Sequence, residues 1–206
     1  MEKPPKQENA AASDQEKIRF PDISAEIEKM VKEDQDIREM SLDDDDEEGL
    51  AETMEKWKEI GESNTERMKE IVAQIGWPTI SKVGKESSVN AWLLVQHADH
   101  DVDFQKQCLD LMKAAPQGEV ELHDIAYLED RIRVNSNEGQ VYGTQFRETL
   151  DPTASKKTVI AYGPKPIEDP EHVNERRASV GLEPMEEYTE RLTRKYYPHL
   201  LEKKSG

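Results

Sequence analysis

The sequence has a single cysteine, Cys108, among 206 residues, so no disulfide can form within one chain. Its surrounding segment, FQKQCLDLMK, has a helical apolar pattern. In that setting cysteine usually packs as a small hydrophobic residue. A catalytic thiol is the alternative interpretation of this position.

Long apolar runs are also missing. Nowhere do about 18 consecutive apolar residues occur, the length that a membrane-spanning helix requires. The first residues, MEKPPKQENAAASDQEK, hold no apolar run either, so no signal peptide is predicted. Both absences predict a cytoplasmic protein.

Basic residues are few: 28 lysines and arginines stand against 45 aspartates and glutamates, and the net charge is −17. A field of this sign repels nucleic-acid phosphates and anionic membrane surfaces, so neither is an expected partner. A basic protein partner fits the charge. Good solubility alone explains the charge as well.

The common linear motifs of catalysis are absent. The sequence contains no GxxxxGK[ST] loop, GxGxxG, GxSxG, HExxH or CxxC. These absences argue against the commonest nucleotide-binding, serine-hydrolase and zinc-protease sites, although many enzymes carry no linear signature. Six successive acids, Asp43 to Glu48, lack the periodic oxygen ligands and central glycine of an EF-hand loop. No motif therefore requires a cofactor.

The length fits one domain with tails. Residues 1–22 lack periodicity and are predicted to be a disordered tail. Residues 23–200 are predicted to form a single helical domain, followed by a short tail over 201–206. Because like charges repel, the acids over 43–48 are predicted to form a solvated loop.

The fold class is predicted to be mainly α, with about six to seven helices and one small β-hairpin. The second helix ends at Gly76-Trp77-Pro78, with an interruption suggested near Gly61. The hairpin is predicted over about 139–162, with GQVYGTQF and KKTVIAYG as strands because both are rich in β-branched and aromatic residues. After it, Asp169 is expected to cap a short helix that begins at Pro170.

The densest polar cluster follows the most apolar helix and runs from Gln96 to Asp101. On a continuing helix, His97 lies on one face with His100 and Asp101. Such a set can bind a divalent metal. Alternatively, Asp99 or Asp101 orients His97 as a general base. A helix cap and a buried structural histidine are the simpler explanations.

Two further groups can contribute to a binding site. Asp34, Gln35 and Arg38 lie on the first helix, where Asp34 and Arg38 also suit a surface ion pair. In the second group, Arg131 can hold a carboxylate or phosphate in bidentate fashion. Its companions in the sequence are Asp130, Tyr142 and Gln145, and an Asp–Arg pair that braces the hairpin is the alternative.

Together these motifs resemble those of a bacterial family of domains of unknown function. The resemblance covers roughly Asp34 to Tyr188 and rests on the ordered series GWP at 76, QHAD at 96, DR at 130, YGTQ at 142, PIEDP at 166 and RR at 176. It implies no activity, substrate or cofactor. It does imply that the His, Asp, Arg, Tyr and Gln residues of the motifs belong to one set. The acidic region and the long segment between YGTQ and PIEDP depart from the pattern.

Two functions follow as hypotheses. The first is a small hydrolase- or lyase-like enzyme, in which His97 is the general base or a metal ligand and Arg131 anchors a small polar or anionic substrate. Asp34 and Arg38 then close its pocket. The second is a non-catalytic module that binds a ligand or a basic protein. Cofactor use stays open, with a divalent metal as one candidate.

Overall fold

A computed structural model describes residues 18–43, 47–156 and 158–202. Within these ranges the chain forms nine α-helices and one two-stranded antiparallel sheet, which confirms the mainly α prediction. A short 3₁₀ turn, Pro170–His172, precedes α7. The elements are, in order, α1 Pro21–Asp43, α2 Glu47–Ile75, α3 Ile80–Val83, α4 Lys85–Gln96, α5 Val102–Lys113, α6 Leu122–Asn135, β1 Phe146–Leu150, β2 Val159–Pro164, α7 Val173–Ser179, α8 Met185–Tyr196 and α9 His199–Glu202.

Parts of the predicted tails and acidic loop lie outside the described residues, namely 1–17, 44–46 and 203–206. At the edges of these segments, α1 already begins at Pro21 and ends at Asp43, and α2 begins at Glu47. Among the helices that the structure describes, none is long and apolar enough to cross a membrane.

The long helix α2 passes through Gly61 without a break, so the interruption suggested by the sequence does not occur. A single glycine costs a helix only about 1 kcal/mol, which packing along the remaining turns outweighs. The helix ends where predicted, because Gly76 adopts a φ of 67° that suits glycine. The Lys82 ammonium then donates to the terminal carbonyl of Ile75 at 2.5 Å.

The main hydrophobic core is built around α4, packed between α1, α2, α5 and α6. Every fourth residue of α4 is deeply buried, as shown by Ala91 and Val95, each 0% exposed. Cys108 is also 0% exposed, and burial raises the pKa of its thiol to about 12. It therefore packs as a small hydrophobic residue, and the catalytic-thiol interpretation fails.

Helices α1 and α4 run parallel and approach closely through small side chains. The hydroxyls of Ser24 and Ser87 lie 2.8 Å apart at one end, and Ser24 also donates to the carbonyl of Val83 at 2.7 Å. Ten residues further along both helices, Asp34 meets His97 with the same sequence offset of 63. The two contacts fix the register of the helices, and the second one lies at the candidate site.

The hairpin begins later than the sequence predicts. Phe146 pairs with Pro164 and Thr149 with Ala161, whereas residues 141–145 form a loop. Before that loop, Gln140 makes a single parallel bridge to Ile167. Strand pairing is not available to the loop, because the buried carboxylate of Asp130 accepts its backbone N–H groups.

The turn before α7 corrects a second prediction. Asp169 adopts a left-handed φ of 50° and makes no capping hydrogen bond. Its carboxylate instead binds His172 at 2.9 Å and Arg176 at 3.3 Å. Arg176 also donates to the carbonyls of Glu168 and Asp169 at 2.8 and 2.7 Å, so the PIEDP segment is clasped to α7.

Candidate functional site

A buried aspartate holds the histidine of the QHAD motif. Asp34, on α1, has a side chain only 1% exposed, and its Oδ2 lies 2.8 Å from Nδ1 of His97. His97 occupies the C-cap of α4, where the helix stops at Gln96. The partner of His97 is thus Asp34, and not Asp99 or Asp101 as the sequence suggested.

The same aspartate oxygen receives two more hydrogen bonds. Gln35 Nε2 donates to Asp34 Oδ2 at 2.8 Å and Arg38 Nε donates to it at 2.9 Å. The other oxygen, Oδ1, is buried and accepts no hydrogen bond from a described residue. Three donors thus converge on Oδ2, and they fix the orientation of the carboxylate against His97.

The charge state of Asp34 follows from these contacts. Burial by itself would raise the pKa of the carboxyl, but the hydrogen bonds from His97 and Arg38 outweigh it and lower the pKa to about 2. Asp34 is therefore ionised near neutral pH. Because a carboxylate only accepts hydrogen bonds, Nδ1 of His97 must donate. In the neutral ring, Nε2 is then the basic nitrogen.

His97 opens onto a cleft of about 510 Å³. Its ring is 17% exposed, and Nε2 has no hydrogen-bond partner within residues 18–43, 47–156 and 158–202. The cleft lies between α1, α2 and the α4–α5 turn, and α6 closes its far side. The lining residues are Arg38, Met54, Trp57, Lys58, Gly61, Glu62, His97, Asp99, His100 and Arg131.

Arg131 reaches the cleft from α6 and is held in place by Asp99. Its Nε donates to Asp99 Oδ1 at 2.7 Å, and Nη2 donates to the other oxygen. Asn135 and Gln105 also donate to Asp99 Oδ1, at 2.8 and 3.4 Å. Burial works against ionisation of Asp99, yet Arg131 and these amides lower its pKa below the usual range. Asp99 therefore orients the arginine.

Asp101 has a structural role that the sequence offered as an alternative. It is the N-cap of α5, accepting a hydrogen bond from the backbone N–H of Phe104 at 3.0 Å, and it forms an ion pair with Lys69 at 2.8 Å. The predicted shared face of His97, His100 and Asp101 required a continuing helix, which ends before these residues. In the described part of the chain, no three His, Cys, Asp or Glu side chains are grouped as a metal site needs.

Apart from Arg131, the second predicted group does not line the cleft. Asp130 is 0% exposed and accepts from the backbone N–H groups of Val141, Tyr142 and Thr144 at 2.6–3.0 Å. Burial raises its pKa. The Gln145 side chain donates to Thr144 Oγ1 at 3.1 Å. Neither Tyr142 nor Gln145 lines the cleft, so this group shapes the loop before β1.

Buried Arg177 supports the same loop from behind. It is 0% exposed and donates to the carbonyls of Tyr142 at 2.7 Å and Glu183 at 2.6 Å. Its guanidinium lies over the ring of Tyr188, 4.7 Å from the centroid. Burial lowers the pKa of this arginine. The YGTQ and RR motifs are thus explained by packing.

Sequence reasoning missed the apolar wall of the cleft. Trp57 and Met54, on α2, line it beside Lys58. The guanidinium of Arg38 lies over the Trp57 ring, 4.5 Å from the centroid, a cation–π contact. The sequence signal for this wall was a single tryptophan in the charged segment MEKWKEIGE, at a position that the core does not require.

Comparisons with known proteins place the chain in a family. The model of a family of unknown function, DUF6624, matches residues 21–200, so the chain belongs to that family. The resemblance to a family of unknown function is thereby confirmed, over a longer stretch than the motifs suggested. Searches of curated proteins and of solved structures find no significant match.

Proposed function

We propose that this member of the DUF6624 family is a hydrolase-like enzyme, in which His97 acts as general base on a small anionic or polar substrate. The observation that carries the proposal is the hydrogen bond of 2.8 Å between His97 and the buried carboxylate of Asp34. It leaves the basic nitrogen of His97 facing a cleft. A carboxylate–imidazole pair of this kind is a common way to position a general base.

In the proposed reaction, Nε2 of His97 removes a proton from a water molecule as that water attacks the carbonyl carbon or phosphorus of the substrate. The imidazole becomes positively charged during this step. The imidazolium then returns the proton to the leaving group as its bond to that atom breaks. Asp34, ionised because its pKa is about 2, stabilises that charge and keeps the ring oriented. Gln35 and Arg38 hold Asp34 in turn, and their roles are positional.

Arg131 is proposed to bind the anionic group of the substrate. Asp99 engages its Nε and Nη2, while Nη1 has no hydrogen-bond partner among the described residues. A guanidinium fixed on one edge presents its other edge in a defined direction, which suits a carboxylate or phosphate oxygen. Trp57 and Met54 offer apolar surface for the remainder of the substrate.

The same base can also abstract a proton from carbon, as in a lyase. A non-catalytic module that binds a ligand in this cleft, or a basic protein, is the second candidate function. The observation that favours it is the exposure of the cleft, which is wide and lined by charged side chains. A measurement of turnover distinguishes the two candidate functions, since a binding module binds its ligand without converting it.

The test combines ligand binding and turnover. Thermal-shift screening of the protein against anionic metabolites and divalent metals identifies binders by the stabilisation they cause. Hydrolysis of nitrophenyl phosphate and of carboxylate-bearing nitrophenyl esters is measured beside it. The variants are His97→Ala and Arg131→Met, and the matched control is His199→Ala, an exposed histidine that does not line the cleft.

We expect His97→Ala to lower kcat by about a hundredfold or more while ligand binding persists. Arg131→Met is expected to raise KM for anionic substrates, and His199→Ala is expected to change neither. A His97→Ala protein that keeps full turnover would refute the base assignment. If the variant fails to fold, His97→Gln tests the same point, because glutamine can still hydrogen-bond to Asp34.

A further inference from the structure

A second cleft, of about 550 Å³, lies between β2, α8 and α9. Its walls are apolar, formed by Ile160 and Tyr162 of β2, Met185 of α8, and Leu200 and Leu201 of α9. It shares no lining residue with the cleft at His97. The volume falls within the range of about 300–1,000 Å³ that small-molecule sites occupy.

Two threonines on the α8 wall add little polarity. Thr189 Oγ1 donates to the carbonyl of Met185 at 2.8 Å, and Thr193 Oγ1 donates to the carbonyl of Thr189 at 2.7 Å. The hydroxyl protons of both threonines are thus taken by backbone carbonyls of the helix and are not offered to a ligand. A ligand buried here needs an apolar body to match these walls.

The charged groups of the lining are two carboxylates. Glu186 and Glu190 stand one turn apart on α8 and are both exposed, and no lysine or arginine lines the cleft in the ranges that the structure describes. Hydrogen bonds from its own backbone N–H and from Asn174 lower the pKa of Glu186. Glu190 pairs with Arg194, but both side chains are more than half exposed, and such pairs are weak.

We propose that this cleft binds an amphiphilic cation, an apolar chain or ring that carries an ammonium group. The apolar part lies against Ile160, Met185 and Leu200. The ammonium group lies between Glu186 and Glu190, and the ring of Tyr162 belongs to the same lining. Carboxylates attract such a group electrostatically, and an aromatic face adds a cation–π contact.

The charge complementarity supports this class of ligand over its alternatives. An anionic amphiphile, such as a fatty acid, would bring its head group to two carboxylates with no cation in the described lining. Like charges so close together cost binding free energy. A neutral apolar molecule would leave the two carboxylates unused and gain affinity from the walls alone.

Isothermal titration calorimetry of the full chain tests the proposal with three probes below their micellar concentrations. Decyltrimethylammonium and decyl sulfate share a chain and differ in head-group charge, and decanol supplies the chain alone. We expect saturable binding at one site, with the cation bound about tenfold more tightly than decyl sulfate, which corresponds to about 1.4 kcal/mol.

Two double variants with equal changes in net charge separate the cleft from the general field of the protein. Glu186→Gln with Glu190→Gln should abolish the preference for the cation. Glu171→Gln with Glu187→Gln, both exposed acids outside the lining, should preserve it. If the control pair lowers the preference equally, the charge of the whole molecule is responsible and the proposed site is refuted.

The location is tested by filling the cleft. Ala161 lines it from β2 and is exposed, so Ala161→Trp adds bulk without removing a core side chain, and aromatic residues suit strands. We expect this variant to lose binding of all three probes while its melting temperature stays near that of the wild type. Unchanged binding in a folded Ala161→Trp protein, or no binding to the wild type, overturns the proposal.

Discussion

At the scale of single residues, the meaning of each motif residue depends on where its side chain points. Asp34 and Asp130 are both buried acids, 1% and 0% exposed. Asp34 receives hydrogen bonds from side chains, one of which is the proposed base, whereas Asp130 receives them mainly from backbone N–H groups. The contact of Asp34 with His97 can support catalysis, whereas the contacts of Asp130 fix a loop.

Asp34→Asn is predicted to show how far the activity depends on the negative charge of Asp34, because asparagine has nearly the same shape. The amide fills the same space but cannot accept from His97 as a carboxylate does, so the favoured tautomer and the stabilisation of the imidazolium are lost. We expect kcat to fall by about a hundredfold or more. The variant is compared with Asp36→Asn, an exposed acid on the same helix, which should retain the activity.

Asp34 also makes a testable contribution to stability. Its pKa is lowered from 3.8 to about 2, so the carboxylate stabilises the folded state above pH 4. That contribution, about 2 kcal/mol, is lost as the pH falls through about 2. Urea unfolding of wild type and Asp34→Asn should therefore show free energies of unfolding that converge towards pH 2. Curves that stay parallel from pH 7 to pH 2 would contradict the assignment.

At the scale of elements, two glycines give opposite predictions for the same substitution. Gly143 has a φ of 73°, and an added Cβ would lie 2.6 Å from Met185 Sδ and 2.9 Å from Ile167 Cδ1. Gly61 lies inside α2, and apart from its chain neighbours and the helix backbone no heavy atom of the described residues is within 4 Å of an added Cβ. The fold therefore leaves no room for a side chain at Gly143, whereas it leaves room for a methyl group at Gly61.

Gly143→Ala is predicted to destabilise the protein by about 1–3 kcal/mol, because it combines a strained backbone with a close contact. Gly61→Ala is predicted to stabilise it by about 0.5–1 kcal/mol, because alanine has the higher helix propensity. Chemical denaturation of both variants measures the difference. A stabilising Gly143→Ala, or a destabilising Gly61→Ala, would show that the loop or the helix is misplaced.

The first turn of α6 holds another buried acid, Asp124, which is 3% exposed. Burial is the largest influence and raises the pKa of Asp124 to about 6, with nearby Glu121 acting in the same direction. A raised acidic pKa means that the folded state binds the proton more tightly than the unfolded state does. The contribution of Asp124 to the stability of the protein therefore declines as the pH rises from about 4 to about 6.

Asp124→Asn is predicted to remove this penalty. At pH 8 we expect the variant to be more stable than the wild type by about 3 kcal/mol, and below pH 4 we expect the gain to vanish. Thermal melts across this pH range measure the difference. A gain of equal size at pH 3 and pH 8 would show that it does not arise from titration of Asp124.

At the scale of the whole molecule, the net charge of −17 opposes the compact state through self-repulsion. Salt screens this repulsion, with a Debye length of about 10 Å at 0.1 M. We predict that the melting temperature rises as sodium chloride increases from about 0.01 to 0.15 M. A melting temperature that falls over this range would mean that ion pairs outweigh the repulsion. The ion pair of Arg67 with Glu26 is one such contact, at 2.6 Å.

The two clefts of the molecule are built from different parts of the fold. Helices α1, α2, α4 and α6 build the His97 cleft, and β2 with α8 and α9 builds the apolar one. The former depends on the parallel register of α1 and α4, which the Ser24–Ser87 contact secures. The latter depends on the hairpin.

The sequence by itself determined the mainly α fold, the helix end at Gly76, the core around α4 and the buried role of Cys108. These features follow from local signals, namely apolar periodicity and the conformational freedom of glycine. The sequence also pointed to Arg38, His97 and Arg131, which line one cleft, and to Asp34, whose buried carboxylate contacts His97. The sequence pattern placed the first strand too early, because it could not show that the carboxylate of Asp130 accepts hydrogen bonds from the backbone N–H groups of that segment.

Only the tertiary structure decided which residues are partners. His97 and Asp34 are separated by 63 positions, and local periodicity carries no information about contacts over that distance. Side chains adjacent in sequence, such as Asp130 and Arg131, point in directions about 100° apart around α6, so Asp130 anchors the loop and Arg131 lines the cleft. The pairing of Asp34 with His97 arises from the packing of α1 on α4, because a buried carboxylate must find hydrogen-bond donors where the core brings them.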